Sequence, residues 1–206
     1  MGPGSDRSVL GFVDAVLEQF AFLESFGLLV TGSEPTFVRY ESEERFVNVF
    51  HGRSSYEIGV EVGRWVDVED GVAEEKFPLA YLDALRQREA RPSVRGLTAV
   101  SREQVASFVA EFAGWAQALL PEALSRSSDG VFAELQAEVV RESQLFLQGK
   151  RAEVLRERAG LAWRDGDFHR VVLAYSEILE ELPLVSLRPS ELKRLQYAES
   201  HVGEVS

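Results

Sequence analysis

The residues that could do chemistry gather in one segment of the chain, between His51 and Glu61. His51, Arg53, Glu57 and Glu61 could supply a general base, an anion-binding cation and two carboxylates. Glu57 and Glu61 would lie about 13 Å apart on a strand, whereas the paired carboxylates of glycosidases stand roughly 5 to 9.5 Å apart. We therefore do not expect a catalytic carboxylate pair, and we favour a cross-strand charge pair of Glu57 with Arg53 or Arg39.

The familiar catalytic and metal-binding signatures are absent from the sequence. His51, His169 and His201 stand in no zinc-ligand spacing, and the chain has no cysteine. It contains no serine-hydrolase elbow, P-loop or dinucleotide-binding glycine motif. We predict no catalytic residue, no metal and no cofactor, and a structural role for His51 beside Tyr56.

The segment around these residues has the pattern of an antiparallel meander. Hydrophobicity alternates with period two over residues 36–41, 45–51 and 55–63, which predicts three strands joined by hairpin turns. The loop between the second and third strands could have two or four residues. Both lengths place the same residues on the aliphatic face, because the two registers differ by an even number of residues. That face would hold Val47, Val49, Tyr56, Ile58 and Val60.

The opposite face of the meander mixes phenylalanines with charge. It would hold Phe46, Asn48, Phe50, Glu57, Gly59 and Glu61; a two-residue first turn would add Phe37, Arg39 and Glu41, and a three-residue turn would not. Either C-terminal helices cover Phe46 and Phe50, or the exposed aromatic residues form a partner-binding patch. The candidate partner-binding residues are Phe46, Phe50, Arg39, Arg53, Glu57 and Glu61.

An amphipathic helix is predicted before the meander. Apolar residues recur at intervals of three and four from Val9 to Phe26, and Gly27 could end the helix in a left-handed conformation. We expect the apolar stripe of this helix to lie on the aliphatic face of the sheet. Residues 28–31 are predicted to form a short first strand.

The hydrophobic pattern weakens after the meander. Residues 64–68 could extend the sheet, whereas residues 67–75 hold five acids and no base and are expected to form a solvated loop. Their spacing does not match a calcium-binding loop. A helix is predicted over residues 77–88 and a linker over residues 91–99.

Helices are predicted for the rest of the chain. Ser101 and Gln104 resemble a capping box and open a helix that Pro121 follows. A second helix spans residues 131–148, and Gly149 either ends it or lies inside a longer helix. Its inward residues would be Phe132, Leu135, Val139 and Phe146.

Residues 153–183 resemble one tetratricopeptide-type helical hairpin. The resemblance rests on Ala159, Ala162, Asp167-Phe168, Val171, Tyr175, Ile178 and Pro183. Ala162 stands where an aromatic residue is usual, Val171 stands where alanine is usual, and no second copy lies upstream. Such repeats need about three copies to form a binding groove, so we expect a structural hairpin capped by residues 189–201.

The N-terminal half has a second resemblance. The predicted helix and the run FVRYESEERFVNVFHGRSSYEIGVEVGR are similar to small bacterial α+β proteins, some of which are of the immunity-protein type found beside toxins. The resemblance carries no functional residue. It implies another protein as the partner, such as a basic toxin-like one.

Charge and composition narrow the function classes further. The 206 residues carry a net charge of -12, spread along the chain, which disfavours nucleic acid and is compatible with a basic protein partner. The zero cysteine count fits a reducing compartment, and no apolar run approaches the roughly 20 residues that span a bilayer. Without a signal-peptide pattern, we expect a cytoplasmic protein that does not bind membranes. Many arginines and few lysines suggest a GC-rich bacterial genome.

Together these patterns predict an α+β protein. An N-terminal helix would pack on an antiparallel four- to five-stranded meander over residues 6–90, followed by an α-helical bundle over residues 100–203; residues 1–5 resemble an expression-vector scar. We favour a non-catalytic bacterial protein-binding module, an immunity or accessory factor. One alternative is a small enzyme or ligand-binding domain with its site near the second β-hairpin, and another is a self-assembling helical scaffold. The oligomeric state stays open.

Overall fold

The computed structural model describes residues 7–87, 97–125 and 128–202. The proposed scar at residues 1–5 and residues 91–96 of the predicted linker lie outside the described residues. The fold is α+β, as predicted: helical segments at the N-terminus, an antiparallel sheet and further helices. The strands are β1 Leu29–Glu34, β2 Phe37–Glu41, β3 Arg45–His51, β4 Glu57–Val68, β5 Gly71–Pro78 and β6 Leu97–Thr98. The helices are α1 Phe12–Gln19, α2 Leu79–Gln87, α3 Arg102–Leu124, α4 Asp129–Arg164, α5 Phe168–Glu181 and α6 Pro189–Val202.

The N-terminal helix is shorter than predicted and interrupted. Only α1 is α-helical; 3₁₀ turns at Arg7–Leu10 and Ala21–Phe26 flank it. Gly11, with φ of 66°, separates the first turn from α1. Gly27 ends the segment in the left-handed conformation, as predicted, with φ of 79°.

The sheet places its strands in sequence order from β1 to β5, and β6 pairs with β4. The acidic run at residues 67–75 is therefore not a solvated loop, and that prediction is wrong. Instead, β4 continues to Val68, the chain turns at Glu69-Asp70, and β5 pairs back along β4 from Gly71. The longer hairpin adds a fifth full strand to the meander.

The aliphatic face of the sheet forms the core of the N-terminal part. The observed register pairs Val47 with Val62, Val49 with Val60 and His51 with Ile58, which confirms the predicted parity. The connection after His51 is longer than the predicted two or four residues, and Tyr56 lies in it with φ of 56°. The face is built from buried Val38, Tyr40, Val47, Val49, Ile58, Val60, Val62 and Phe77.

Hydrogen bonding and ring contacts join helices to this face. The Tyr40 hydroxyl donates to the carbonyl oxygen of Val16 in α1 at 3.3 Å. Burial, reinforced by Glu24, raises the pKa of Tyr40 to about 12, so the phenol stays protonated. Phe132 in the first turn of α4 contacts Phe77 with ring centroids 6.0 Å apart.

The capping box at the start of α3 is present. Ser101 Oγ accepts a hydrogen bond from the Gln104 backbone at 3.3 Å, and the Gln104 side chain accepts one from the Ser101 backbone at 3.2 Å. The helix continues through Pro121 instead of ending before it.

Contacts divide the chain into two units, residues 1–136 and residues 137–206, with the boundary inside α4. Gly149 lies within α4, so the longer of the two predicted helices is the observed one. Phe146 is 63% exposed, and its predicted inward position is wrong. By helical spacing, Phe146 lies on the same side of α4 as Phe132. In the second unit, however, other residues form the buried side of α4: Ala152, Leu155, Ala159 and Ala162.

The second unit contains a helical hairpin and a third helix. Asp167 caps α5 by accepting from the backbone of Arg170 at 3.1 Å. Arg151 near the start of this part of α4 pairs with Glu177 and Glu181 near the end of α5, so the two helices run antiparallel. α6 joins them through an aromatic cluster with ring centroids 4.0–5.7 Å apart, formed by Trp163, Phe168, Tyr197 and His201.

Candidate functional site

The side of the sheet opposite the aliphatic face is the candidate site, and we call it the mixed face. The turn between β2 and β3 has two central residues, Glu43 and Glu44, because Ser42 donates its backbone N–H to Arg45 at 2.8 Å. This is the shorter of the two predicted turns. It places β2 in the register that makes the mixed face from Phe37, Arg39, Glu41, Phe46, Asn48, Phe50, Glu57, Gly59, Glu61, Gly63, Trp65, Glu74 and Lys76.

Arg39 covers the aromatic centre of the mixed face. Its guanidinium carbon lies 4.0 Å from the ring centroid of Phe46 and 5.2 Å from that of Trp65. The Phe46 and Trp65 rings are 5.5 Å apart. Phe46 is fully buried beneath this layer, so its first role is packing, whereas Phe50 is only partly buried.

Two glycines let these phenylalanines lie flat on the sheet. A Cβ atom added to Gly63 would stand 2.2 Å from the Phe46 ring and 2.8 Å from the backbone oxygen of Glu75. A Cβ atom added to Gly59 would stand 2.4 Å from the Phe50 ring. Gly63 therefore leaves no room for a side chain, and a side chain at Gly59 would displace the Phe50 ring.

Ion pairs surround the aromatic centre. Arg39 pairs with Glu41 at 3.0 Å and with Glu74 at 2.8 Å. Across the sheet, Lys76 pairs with Glu61 at 2.9 Å. These pairs are partly exposed, so they contribute little to the stability of the fold. We infer that their main role is to hold the charged side chains in fixed orientations.

Two polar atoms at the centre of the mixed face have unused hydrogen-bonding capacity. Asn48 Nδ2 donates to Glu61 at 3.3 Å, which turns Asn48 Oδ1 away from that carboxylate. Among the described residues, neither Asn48 Oδ1 nor Arg39 Nη2 has a hydrogen-bond partner, although both atoms are buried. Arg39 and Asn48 are cross-strand neighbours, so one unpaired donor and one unpaired acceptor lie at adjacent positions.

His51 lies on the other side of the sheet and holds structure together there. Its Nε2 is 2.9 Å from the carbonyl oxygen of Ala99, which can only accept, so Nε2 carries the proton. Its ring stacks on Phe12 at 5.6 Å and meets Tyr56 edge-on at 5.8 Å. Burial lowers the pKa of His51, and the charge of Arg7 lowers it further. These two effects outweigh the hydrogen bond to Ala99, which by itself would raise the pKa.

The structure does not bring the residues of the enzyme alternative together. His51 is 1% exposed on the aliphatic face, whereas Glu57 and Glu61 belong to the mixed face. Arg53 points into solvent and pairs with Glu34 at 3.4 Å. The predicted ion pair of Glu57 with Arg53 or Arg39 does not form. Both arginines pair with other carboxylates instead.

Sequence reasoning missed four members of the mixed face: Gly63, Trp65, Glu74 and Lys76. Glu74 and Lys76 belong to β5, which the expectation of a loop over residues 67–75 leaves out, and Gly63 and Trp65 lie where the alternating pattern of β4 ends and the strand continues. The Asp70-Gly71 dipeptide was the available signal, since such pairs commonly mark hairpin turns.

Among the described residues, no cluster of three or more histidine, aspartate or glutamate side chains could hold a metal ion. In the same part of the chain, no helix has the length and apolar character needed to cross a bilayer. No family model, curated protein or solved structure matches the chain.

Proposed function

We propose that this chain is a non-catalytic bacterial protein-binding module, an immunity or accessory factor of the cytoplasm, that binds its protein partner through the mixed face. The observation that carries the proposal is the pair of unpartnered polar atoms, Arg39 Nη2 and Asn48 Oδ1, above an aromatic centre. Buried polar groups without partners cost about 1–3 kcal/mol each. A partner group that pairs with both atoms would recover that free energy.

Arg39 is the outer layer over Phe46, and its side chain is 14% exposed. A rotation that carries Nη2 toward the surface would exchange its ion pairs with Glu41 and Glu74 for contacts with the partner. A partner group with one acceptor and one donor, such as a carboxamide or a peptide bond, fits the two atoms.

The charge of the mixed face favours a basic partner. Glu41, Glu57, Glu61 and Glu74 outnumber Arg39 and Lys76 on this surface. The whole chain carries a net charge of -12. Complementary charge accelerates association and disfavours acidic competitors, which agrees with a basic toxin-like protein as the partner.

The hairpin of α4 and α5 fits the same proposal as a structural element. We interpret residues 153–183 as one tetratricopeptide-like unit, supported by the burial of Ala159, Ala162, Val171, Tyr175 and Ile178. The aromatic cluster with α6 covers one side of the hairpin. We assign this unit to the support of the module rather than to partner recognition.

Affinity capture with matched variants tests the proposal. Tagged protein is used to capture partners from lysate of its host, with the wild type beside Phe50→Ser and a control, Phe146→Ser, which changes an exposed phenylalanine of the second unit. We expect one stoichiometric partner that the control retains and Phe50→Ser loses, with both variants folded by circular dichroism. If Phe50→Ser unfolds, Glu74→Gln replaces it. Equal capture by all folded variants would refute the mixed face as the binding surface.

A further inference from the structure

The mixed face contains one arrangement of phenylalanine and glycine twice. In the register of β3 and β4, Phe46 lies opposite Gly63. Four residues further along β3, Phe50 lies opposite Gly59 in the same way. A Cβ atom added to the glycine would stand 2.2 Å from the Cζ atom of Phe46 in the first pair and 2.4 Å from that of Phe50 in the second. Each ring therefore rests on the neighbouring strand through its glycine.

The first ring carries a guanidinium group. The guanidinium carbon of Arg39 lies 4.0 Å from the centroid of the Phe46 ring. Two carboxylates hold it there, because Arg39 pairs with Glu41 at 3.0 Å and with Glu74 at 2.8 Å. In this arrangement the glycine supports the ring, the ring supports the cation, and carboxylates at the side fix the cation.

The second ring has the carboxylates but no cation. Glu57 and Glu61 stand two positions before and after Gly59 in β4, so their side chains flank Phe50 on the same face of the sheet. Among the described residues, no arginine or lysine lies over the Phe50 ring. Phe50 is only partly buried. Because one side of its ring rests on Gly59, the side turned away from the sheet is the part that a ligand can reach.

The two carboxylates have capacity for a further donor. Glu57 is exposed and forms no ion pair within the described parts of the chain. Glu61 receives hydrogen bonds from Lys76 and Asn48 on one oxygen, Oε2, so its Oε1 can accept from a ligand. Arg53, the cation of the adjoining β3–β4 connection, is paired with a carboxylate of β1.

An arginine side chain fits this position better than a lysine side chain. A guanidinium group is planar, so it can lie on a ring and donate sideways to carboxylates on both sides, which an ammonium group cannot do. Glu57 and Glu61 are about 13 Å apart along the strand, too far to act as a catalytic pair, and the ring lies between them. The Arg39 layer over Phe46 shows that this sheet accommodates a guanidinium group on such a ring.

We propose that the partner presents an arginine whose guanidinium group lies on the Phe50 ring and pairs with Glu57 and Glu61. We call this ring and these two carboxylates the Phe50 site. The inference rests on the proposed function, because the arginine belongs to the protein partner. It adds a second contact to the mixed face, beside the unpartnered atoms of Arg39 and Asn48, and it gives the basic charge of the partner a defined place to bind.

A small guanidinium compound tests the Phe50 site on the full-length protein. N-acetyl-arginine methylamide is titrated into isotopically labelled protein and followed by NMR through the amide of Gly59, which lies against the Phe50 ring. The corresponding lysine and citrulline compounds are titrated in parallel, because citrulline keeps the shape of arginine without its charge. The variants are Phe50→Leu, which removes the aromatic face, and Glu57→Gln, which removes one carboxylate. The matched control is Glu43→Gln, an exposed glutamate in the turn at the other end of β3.

We expect the arginine compound to bind, with its side-chain protons shifted upfield by the ring current of Phe50. The lysine and citrulline compounds should bind more weakly. Phe50→Leu and Glu57→Gln should each weaken binding by about two- to fivefold, whereas Glu43→Gln should leave it unchanged. No binding of the arginine compound, equal binding of the lysine or citrulline compound, or an affinity that neither variant lowers would overturn the inference.

Partner capture separates a failure of this contact from a failure of the proposed function. If capture depends on Phe50 but the arginine compound does not bind, the mixed face remains the binding surface and the arginine contact is wrong. If the compound binds but capture yields no partner that depends on Phe50, the proposed function fails. The inference then falls with it, although the Phe50 site binds guanidinium groups.

Discussion

Among single residues, Arg39 makes the most contacts that hold the mixed face together. It covers two aromatic rings, pairs with two carboxylates and still leaves Nη2 without a partner in the described chain. Lysine could not reproduce this arrangement, because a point charge lacks the planar fork that lies on a ring while donating sideways. The sequence identified Arg39 as a candidate, but its unused donor depends on distances of a fraction of an ångström, which no residue pattern encodes.

The buried His51 makes stability depend on pH. Its folded pKa is lowered from the ordinary value of 6.5, so the unfolded chain takes up a proton first as the pH falls. The stability that the neutral ring contributes is complete above pH 6.5 and declines below it, by up to about 1.4 kcal/mol per pH unit. Urea unfolding between pH 7.5 and 5.5 should show this decline in the wild type and in His169→Gln, an exposed control, but not in His51→Gln. A parallel decline in His51→Gln would show that another group is responsible.

Because Gly63 closely approaches Phe46, we predict that adding a side chain at position 63 lowers the stability of the fold. Gly63→Ala should destabilise the fold by about 1–3 kcal/mol, because the new methyl group meets a buried ring and a backbone oxygen together. Gly114→Ala is the matched control. It lies in α3 with open space around it, and alanine should raise stability by about 0.5–1 kcal/mol through helix propensity. Thermal unfolding measures both, and a neutral Gly63→Ala would contradict the packing described for Phe46.

At the scale of elements, the strands with an alternating hydrophobic pattern were predictable from the sequence. A strand without that pattern and the break in the first helix were not. β2 and β3 begin and end within a residue of their predicted bounds, because one of their faces is buried and fixes the register. β5 carries exposed acids and few apolar residues, so its stability comes from pairing with β4, which a local pattern does not contain. The break in the first helix at Gly11 likewise follows from a backbone conformation that only the packed chain selects.

The capping box at α3 predicts a local contribution to stability. Ser101→Ala removes the side-chain acceptor for the Gln104 backbone N–H and should cost about 1 kcal/mol. Ser107→Ala, an exposed serine within the same helix, should be neutral or slightly stabilising. Chemical denaturation of the two variants compares them directly. Equal stabilities would mean that the start of α3 does not depend on its cap.

For the whole molecule, net charge and the absence of cysteine narrow the function classes but do not identify a binding surface. The sequence predicted most of the mixed face, but the pairing of β4 with β5 adds Trp65, Glu74 and Lys76 to it and brings Glu74 into an ion pair with Arg39. Each of the two units contains its own buried residues, and the mixed face belongs to the first.

Site-specific photo-crosslinking tests the mixed face most directly. A photoreactive phenylalanine analogue is placed at position 50 or at position 146 in separate full-length proteins and irradiated in the native host. Because Phe50 lies on the mixed face and Phe146 lies in the second unit, we predict one dominant protein adduct from position 50 and none of that mass from position 146. The same adduct pattern from both positions, or an adduct from position 146 alone, would contradict a partner-binding role for the mixed face.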